Sequence, residues 1–230
     1  NTFIARVYAI LGIQLLVTVI SIYLFGTNDW AVRWMQPGGW GAAVPGISLV
    51  LSTIAWFTMC ASEKARRSSP LKWQLLTLFT LGEAVSVGFI TSFFKFRSVI
   101  TAMLATAGAT GAVSLYTLLN RNANYDLSQW GATLTSAGLI FLGLGLLQLL
   151  EVTGVLPRGF LPFNDMIYSF MGATLFSFYL AYHTKLIVAG KHSKYQMSEK
   201  DYVFGAMSLF NDIINMFIYL LRILGEDRDH

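Results

Sequence analysis

Seven long runs of apolar side chains organise the chain: 3–25, 43–61, 74–94, 99–119, 130–150, 166–188 and 202–224. None alternates with period two as a half-buried strand does, and none narrows to the stripe of a surface helix. Each has 19 residues or more. At about 1.5 Å per residue, each can cross a hydrocarbon layer of about 30 Å. A closed barrel is the other way to satisfy backbone groups in lipid, but its strands would alternate, and the run Leu139 to Leu147 does not. The pattern predicts an all-α membrane protein with seven transmembrane helices, forming one integral domain over residues 1–230.

The connections fit this reading. Asn28, Asp29, Pro37 and Gly38 fall between the first two runs with Trp30, Trp34 and Trp40, a composition predicting a loop over 27–41 that dips into the bilayer interface. Asn120 to Asp126 separates the fourth run from the fifth, and Pro157, Gly159 and Pro162 break the chain before the sixth. No internal repeat is visible, so an inverted-repeat transporter gains no support.

Composition narrows the picture further. The chain is 55% hydrophobic and 12% charged, whereas ordinary soluble domains carry about 25% charged residues. Its basic residues are scattered among short loops and form no continuous stripe, so nucleic acid is excluded as a partner. Arg6, Lys64, Arg66, Arg67, Lys72, Arg121, Lys185, Lys191, Lys194 and Lys200 fall on the side of the N-terminus. Arg33, Lys95, Arg97, Arg158, Arg222 and Arg228 fall on the other. That bias predicts a cytosolic N-terminus and cytosolic loops at 63–72 and 185–200. Seven crossings would leave the C-terminus outside, and a re-entrant last segment would return it. The chain opens on Asn1 without a signal-peptide pattern, so a natural N-terminal segment is expected to have been trimmed. The single cysteine, Cys60, is expected to be a small buried hydrophobe.

Ionisable groups inside a span cost about 2.5 to 3.5 kcal/mol each, so each is a functional candidate. Asp212 lies ten residues into the last run, about 15 Å deep. Ser208, Asp212, Asn215 and Tyr219 share one face of that helix, with Asn211 beside them, while Ile213, Ile214, Phe217 and Leu221 occupy others. The seam reads either as an ion or sensing path or as hydrogen-bonded glue between helices. Glu83 is the second candidate, with Thr80 one turn before it and Ser86 one turn after; it must be protonated, paired or facing water. His183 is the third, near the end of the sixth run. Counted from the run ends, it and Asp212 differ in depth by about 7 Å, so contact calls for tilt, a kink or a bridging water. Gly143-Leu144-Gly145 lacks the strand-turn-helix setting of a phosphate loop. Gly108 and Ala112 form a small-xxx-small pair suited to close helix packing.

The last third of the chain carries a resemblance. Tyr182-His183-Thr184-Lys185, Gly190-Lys191-His192, Asp201-Tyr202-Val203-Phe204-Gly205-Ala206, Leu209 to Asn215, Tyr219 to Gly225, and Phe79-Thr80-Leu81-Gly82-Glu83 resemble the Bax inhibitor-like family, in particular its lifeguard branch. The resemblance implies a seven-helix fold with the last helix central, a pH-sensitive calcium leak, and suppression of cell death. It also implies an aspartate pair in the sixth and seventh helices. Asp212 matches the second member; His183 stands at the first, and Lys185 stands where glutamine is common. A histidine and a carboxylate can form an ion pair, whereas two carboxylates share a proton.

These observations converge on a cation leak, with calcium as the transported ion and no cofactor, set in a lipid bilayer of the endoplasmic reticulum, Golgi or plasma membrane. Asp212 and Glu83 would line the path, with His183 at its cytosolic end and Ser208, Asn211, Asn215 and Thr80 as polar lining. Oxygen ligands suit a hard cation. An interaction protein that binds death-regulating membrane partners without transport stays open. A zinc hydrolase would need more ligands than His183, the only histidine in a span, since His192 and His230 lie outside one. No Gly-x-Ser-x-Gly occurs for serine hydrolysis, and the last helix has no lysine for a retinal linkage as in a seven-helix receptor.

Overall fold

Each long apolar run is a helix. The computed structural model describes residues 2–36, 38–119, 130–152, 154–157, 165–188 and 197–228. Among them the long helices are α1 (Thr2–Thr27), α3 (Val44–Ala61), α5 (Leu71–Thr91), α6 (Phe96–Leu119), α7 (Gly131–Val152), α8 (Asp165–Val188) and α9 (Tyr202–Leu224). Their ends fall within about three residues of the hydropathy boundaries, the usual reach of end fraying. The described residues contain no strand beyond an isolated bridge between Phe94 and Asp227.

Two short helices stand where loops were expected. Residues 27–41 hold α2 (Asp29–Met35), and the basic loop after α3 holds α4 (Glu63–Arg67). Both start on a side-chain cap: Ala31 N–H donates to Asn28 Oδ1 at 3.4 Å, and Ala65 N–H donates to Ser62 Oγ at 3.2 Å. Asp29 and Glu63 occupy the first turns and basic residues the last, as the helix dipole favours. Segments this short are set by caps rather than hydropathy, and so leave no periodic signal. Trp30, Trp34 and Trp40 are exposed, Trp30 stacking on Trp34 with centroids 6.4 Å apart.

Six of the long helices are apolar and long enough to cross a membrane; α8 is not among them. Tyr168, Ser169, Ser177, Tyr179, Tyr182 and His183 dilute its apolar content. The expected seventh crossing therefore does not follow from length and composition alone. Packing sets the position of α8. It runs antiparallel to α9 along its length: Ile187 lies against Gly205, His183 meets Asp212, Ser177 Oγ sits 3.3 Å from Met216 Sδ, and Gly172 faces the Tyr219 ring.

The last helix is central. Val203, Ala206, Met207, Phe210 and Leu221 have no exposed surface, and Leu209, Met216 and Asp212 have 1%. Around α9 stand α8, α1, α6 and α5. An aromatic column ties it to α3 and α5: Phe204 stacks on Trp56, Trp56 on Phe79, and Phe79 meets Phe210 edge-on, with centroids 5.7 to 5.8 Å apart. At one end of α9, the Arg67 guanidinium bonds Asp201 at 3.1 Å and also pairs with Glu63. At the other, Lys95 N–H donates to Glu226 O at 2.9 Å and Arg228 N–H to Phe93 O at 2.8 Å. α9 thus runs from the α4 end of the bundle to the turn between α5 and α6.

Close backbone approach sets the other interfaces. A Cβ at Gly82 would meet Ser48 O at 2.6 Å and Ser52 Cβ at 2.8 Å, so only glycine lets α5 lie this near α3. On α7, Gly131 and Gly145 face the Tyr182 and Tyr168 hydroxyls of α8, and Gly138 faces that of Tyr179. These three glycines, spaced seven residues apart, give Gly145 a packing role. The Gly108 and Ala112 pair does not pack as expected: both are exposed, and no atom lies within 4 Å of a Cβ built on Gly108. Cys60 is likewise exposed. Both departures have one cause: in lipid an apolar residue gains nothing by facing inward, so small apolar side chains can stand on the outside.

Candidate functional site

The α8–α9 register brings together two groups that sequence counting had placed at different depths. His183 Nδ1 lies 2.6 Å from Asp212 Oδ2. Counting from run ends assumed that α8 and α9 end level. In fact Ile187 of α8 lies beside Gly205, so α9 starts about two residues beyond the end of α8. What remains of the offset is about three residues, or 4.5 Å, within reach of two side chains and needing no bridging water.

Asp212 is 1% exposed; its hydrogen-bond partner is the imidazole. The His183 ring stacks on Tyr179 with centroids 5.9 Å apart and meets Tyr182 edge-on at 5.3 Å. Tyr179 is itself anchored, its hydroxyl donating to Leu134 O of α7 at 2.7 Å. The imidazole is thus fixed by α7 through Tyr179 and by α9 through Asp212. The pair carries a charge of −1, 0 or +1 according to the protons it holds, at the middle of the most buried helix.

The remaining candidates have separate partners. Glu83 accepts from Ser52 Oγ of α3 at 2.7 Å, and Ser86 and Ser48 lie 3.0 Å apart one turn away, so the α3–α5 interface carries its own polar ladder. Thr80 accepts from Gln14 Nε2 of α1 at 2.9 Å. Ser208, fully buried, donates to Phe204 O at 2.9 Å within α9. Asn215 Nδ2 donates to Asn211 O at 2.8 Å and lies 3.2 Å from Asn211 Oδ1. Among the described residues, no hydrogen bond links Glu83 to the His183–Asp212 pair. Sequence reading missed Ser52 and Gln14, since a lone serine or glutamine in an apolar run gives no sign of which helix it will face.

Among the described residues no three His, Cys, Asp or Glu side chains converge. His192 and His230, like Arg121, Tyr125, Asp126, Arg158, Gly159, Pro162, Gly190, Lys191 and Lys194, lie outside the described residues.

Comparison with known proteins sets this geometry in context. A family model described as "Inhibitor of apoptosis-promoting Bax1" matches residues 1–229. The human protein lifeguard 3 is 30% identical over 231 residues, spanning 98% of this chain and 69% of the relative. Its mouse counterpart matches to the same extent. An Arabidopsis thaliana protein, LIFEGUARD 3, is 28% identical over 222 residues, 96% of this chain and 83% of that protein.

Proposed function

The chain belongs to the family described as inhibitor of apoptosis-promoting Bax1, and from that premise we propose that it is a pH-responsive cation leak, with calcium as the ion, in an endoplasmic reticulum, Golgi or plasma membrane. The single observation that carries this reading is the His183–Asp212 contact at 2.6 Å, between a 1% exposed carboxyl and an imidazole. A group that changes charge at the core of the central helix alters the field along any path beside it, and histidine is the side chain that does so between about pH 5 and 8. Oxygen groups of Asp212, Asn211, Asn215 and Ser208 on α9, with Glu83 and Thr80 on α5, suit transient passage of a hard cation rather than storage.

The topology that goes with this reading has seven crossings, the N-terminus and the α4 loop in the cytosol, and the C-terminus on the far side. The full-length antiparallel pairing of α8 with α9 supports counting α8 as a crossing. Regulation of cell death follows from the family description, and death-regulating membrane proteins are partners on this reading. The test is calcium flux in liposomes holding the full chain, from about pH 5 to 8. Asp212→Asn keeps size and removes the charge, so flux should change several-fold in a folded protein. His183→Asp should move the pH dependence toward that of a carboxylate pair. Superimposable profiles for wild type and both variants would overturn the proposal, leaving the pair a structural link between helices.

A further inference from the structure

A cleft of about 230 Å³ lies between α1 and α5. Its walls are aliphatic, from Ile10, Ile13 and Val17 of α1 and Leu76 and Leu81 of α5, with Trp73 at the α4 end. Ile13, Leu81 and Trp73 are exposed, so the cleft opens on the surface that faces hydrocarbon. At its floor is Gln14, 2% exposed, an amide in the middle of an apolar helix. Gln14 Nε2 donates to Thr80 Oγ1 at 2.9 Å, while Gln14 Oε1 is buried with no hydrogen-bond partner among the described residues. The Thr77 hydroxyl cannot supply that partner, because it donates to Trp73 O at 2.9 Å.

An unpaired carbonyl oxygen at this depth is costly, since lipid offers no donor. Turning the amide over leaves its nitrogen unpaired instead. One group answers either orientation: a hydroxyl, which both donates and accepts. The cleft offers a single unpaired polar atom, so a ligand with one hydroxyl and no other polar group leaves nothing unsatisfied. A diacylglycerol would bring two ester groups, and the aliphatic walls give them no donor. Thr80 lies seven residues beyond Trp73, about 10 Å along the helix. A headgroup with charge could not follow the hydroxyl to that depth.

We propose that the α1–α5 cleft binds a membrane sterol, its hydroxyl hydrogen-bonded to the Gln14 amide and its adjoining ring against Ile10, Ile13 and Leu76. The cleft is continuous with the lipid-facing surface, so the ligand enters sideways from the bilayer. Two paired helices, α1 and α5, then share a bound molecule.

The test uses the full chain in phosphatidylcholine liposomes with a photoreactive cholesterol that keeps its hydroxyl. Cross-links should map to peptides covering 10–17 and 73–81, saturate with probe, and fall with excess cholesterol. Cholesterol methyl ether, which cannot donate, should compete about five- to tenfold less well, the worth of one hydrogen bond. Diacylglycerol should compete no better than the ether. Gln14→Leu should weaken saturable labelling by a similar factor. If that variant fails to fold, the ether comparison on the wild-type chain still decides. Labelling that does not saturate, an ether equal to cholesterol, or better competition by diacylglycerol each overturns the assignment; in the first case water alone fills the cleft.

Discussion

Replacing His183 and Asp212 singly and together, as His183→Phe and Asp212→Leu, asks whether the contact between α8 and α9 holds the bundle. The two groups lie 2.6 Å apart, and their side chains are 14% and 2% exposed. His183→Phe keeps a ring to stack on Tyr179 but strands a carboxyl with almost no access to water. Breaking a buried pair from one side costs about 3 to 5 kcal/mol. Asp212→Leu strands an imidazole nitrogen instead, on a more exposed residue, at about 1 to 3 kcal/mol. The double variant removes both polar groups and leaves two apolar side chains in contact, an exchange that is often near neutral. The expected outcome is therefore a double variant more stable than His183→Phe alone, with a coupling that approaches the sum of the two single losses, about 4 kcal/mol or more. Neutral interhelical hydrogen bonds in membranes average about 0.6 kcal/mol, so a pair worth no more than that is not charge-assisted. Reversible unfolding of the four proteins in mixed micelles measures the cycle. Losses that simply add would refute the contact.

Gly82→Val should cost about 1 to 3 kcal/mol by forcing α5 off α3 and should loosen the Ser52–Glu83 bond, whereas Gly108→Ala, with open space around it, should stay within about 0.5 kcal/mol; the same unfolding assay separates them. At the C-terminus, the hydrogen bond from Lys95, reinforced by its charge, holds the Glu226 carboxyl below the usual carboxylate range. A depressed folded-state value means that this pair stabilises above the ordinary glutamate value of about 4.3 and that its contribution is lost as pH falls through the folded value. The protection factors of the Lys95 and Arg228 amides, taken relative to intrinsic exchange at each pH, should therefore fall in acid, and Glu226→Gln should abolish that dependence. For topology, a cysteine replacing Lys64 in a Cys60→Ala chain should react with an impermeant maleimide only from the cytosolic side, and one replacing Arg97 only from the other; the reverse pattern inverts the bundle.

How much of this the sequence carried depends on how local each feature is. Seven helices and their ends to within about a turn follow from run length, because lipid forces each crossing to satisfy its own backbone hydrogen bonds. Family membership was legible in Tyr182 to Lys185 and Leu209 to Asn215. Asp212, Glu83 and His183 stood out because ionisable groups are expensive in hydrocarbon. Partners were not legible. Membrane helices lack a hydrophobic force to choose their inward face, so α7 and α3 expose Leu139, Ile140, Val50 and Ile54 freely, and Cys60 and Gly108 face outward against expectation. What fixes the faces is close approach at Gly82, Gly131, Gly138, Gly145 and Gly172, each matched to a side chain or backbone atom on another helix. That match is a property of two surfaces at once. It sets the α8–α9 register that brings His183 to Asp212, the α3–α5 approach that gives Ser52 to Glu83, and the α1–α5 pairing that leaves the oxygen of Gln14 unpaired at the floor of a cleft.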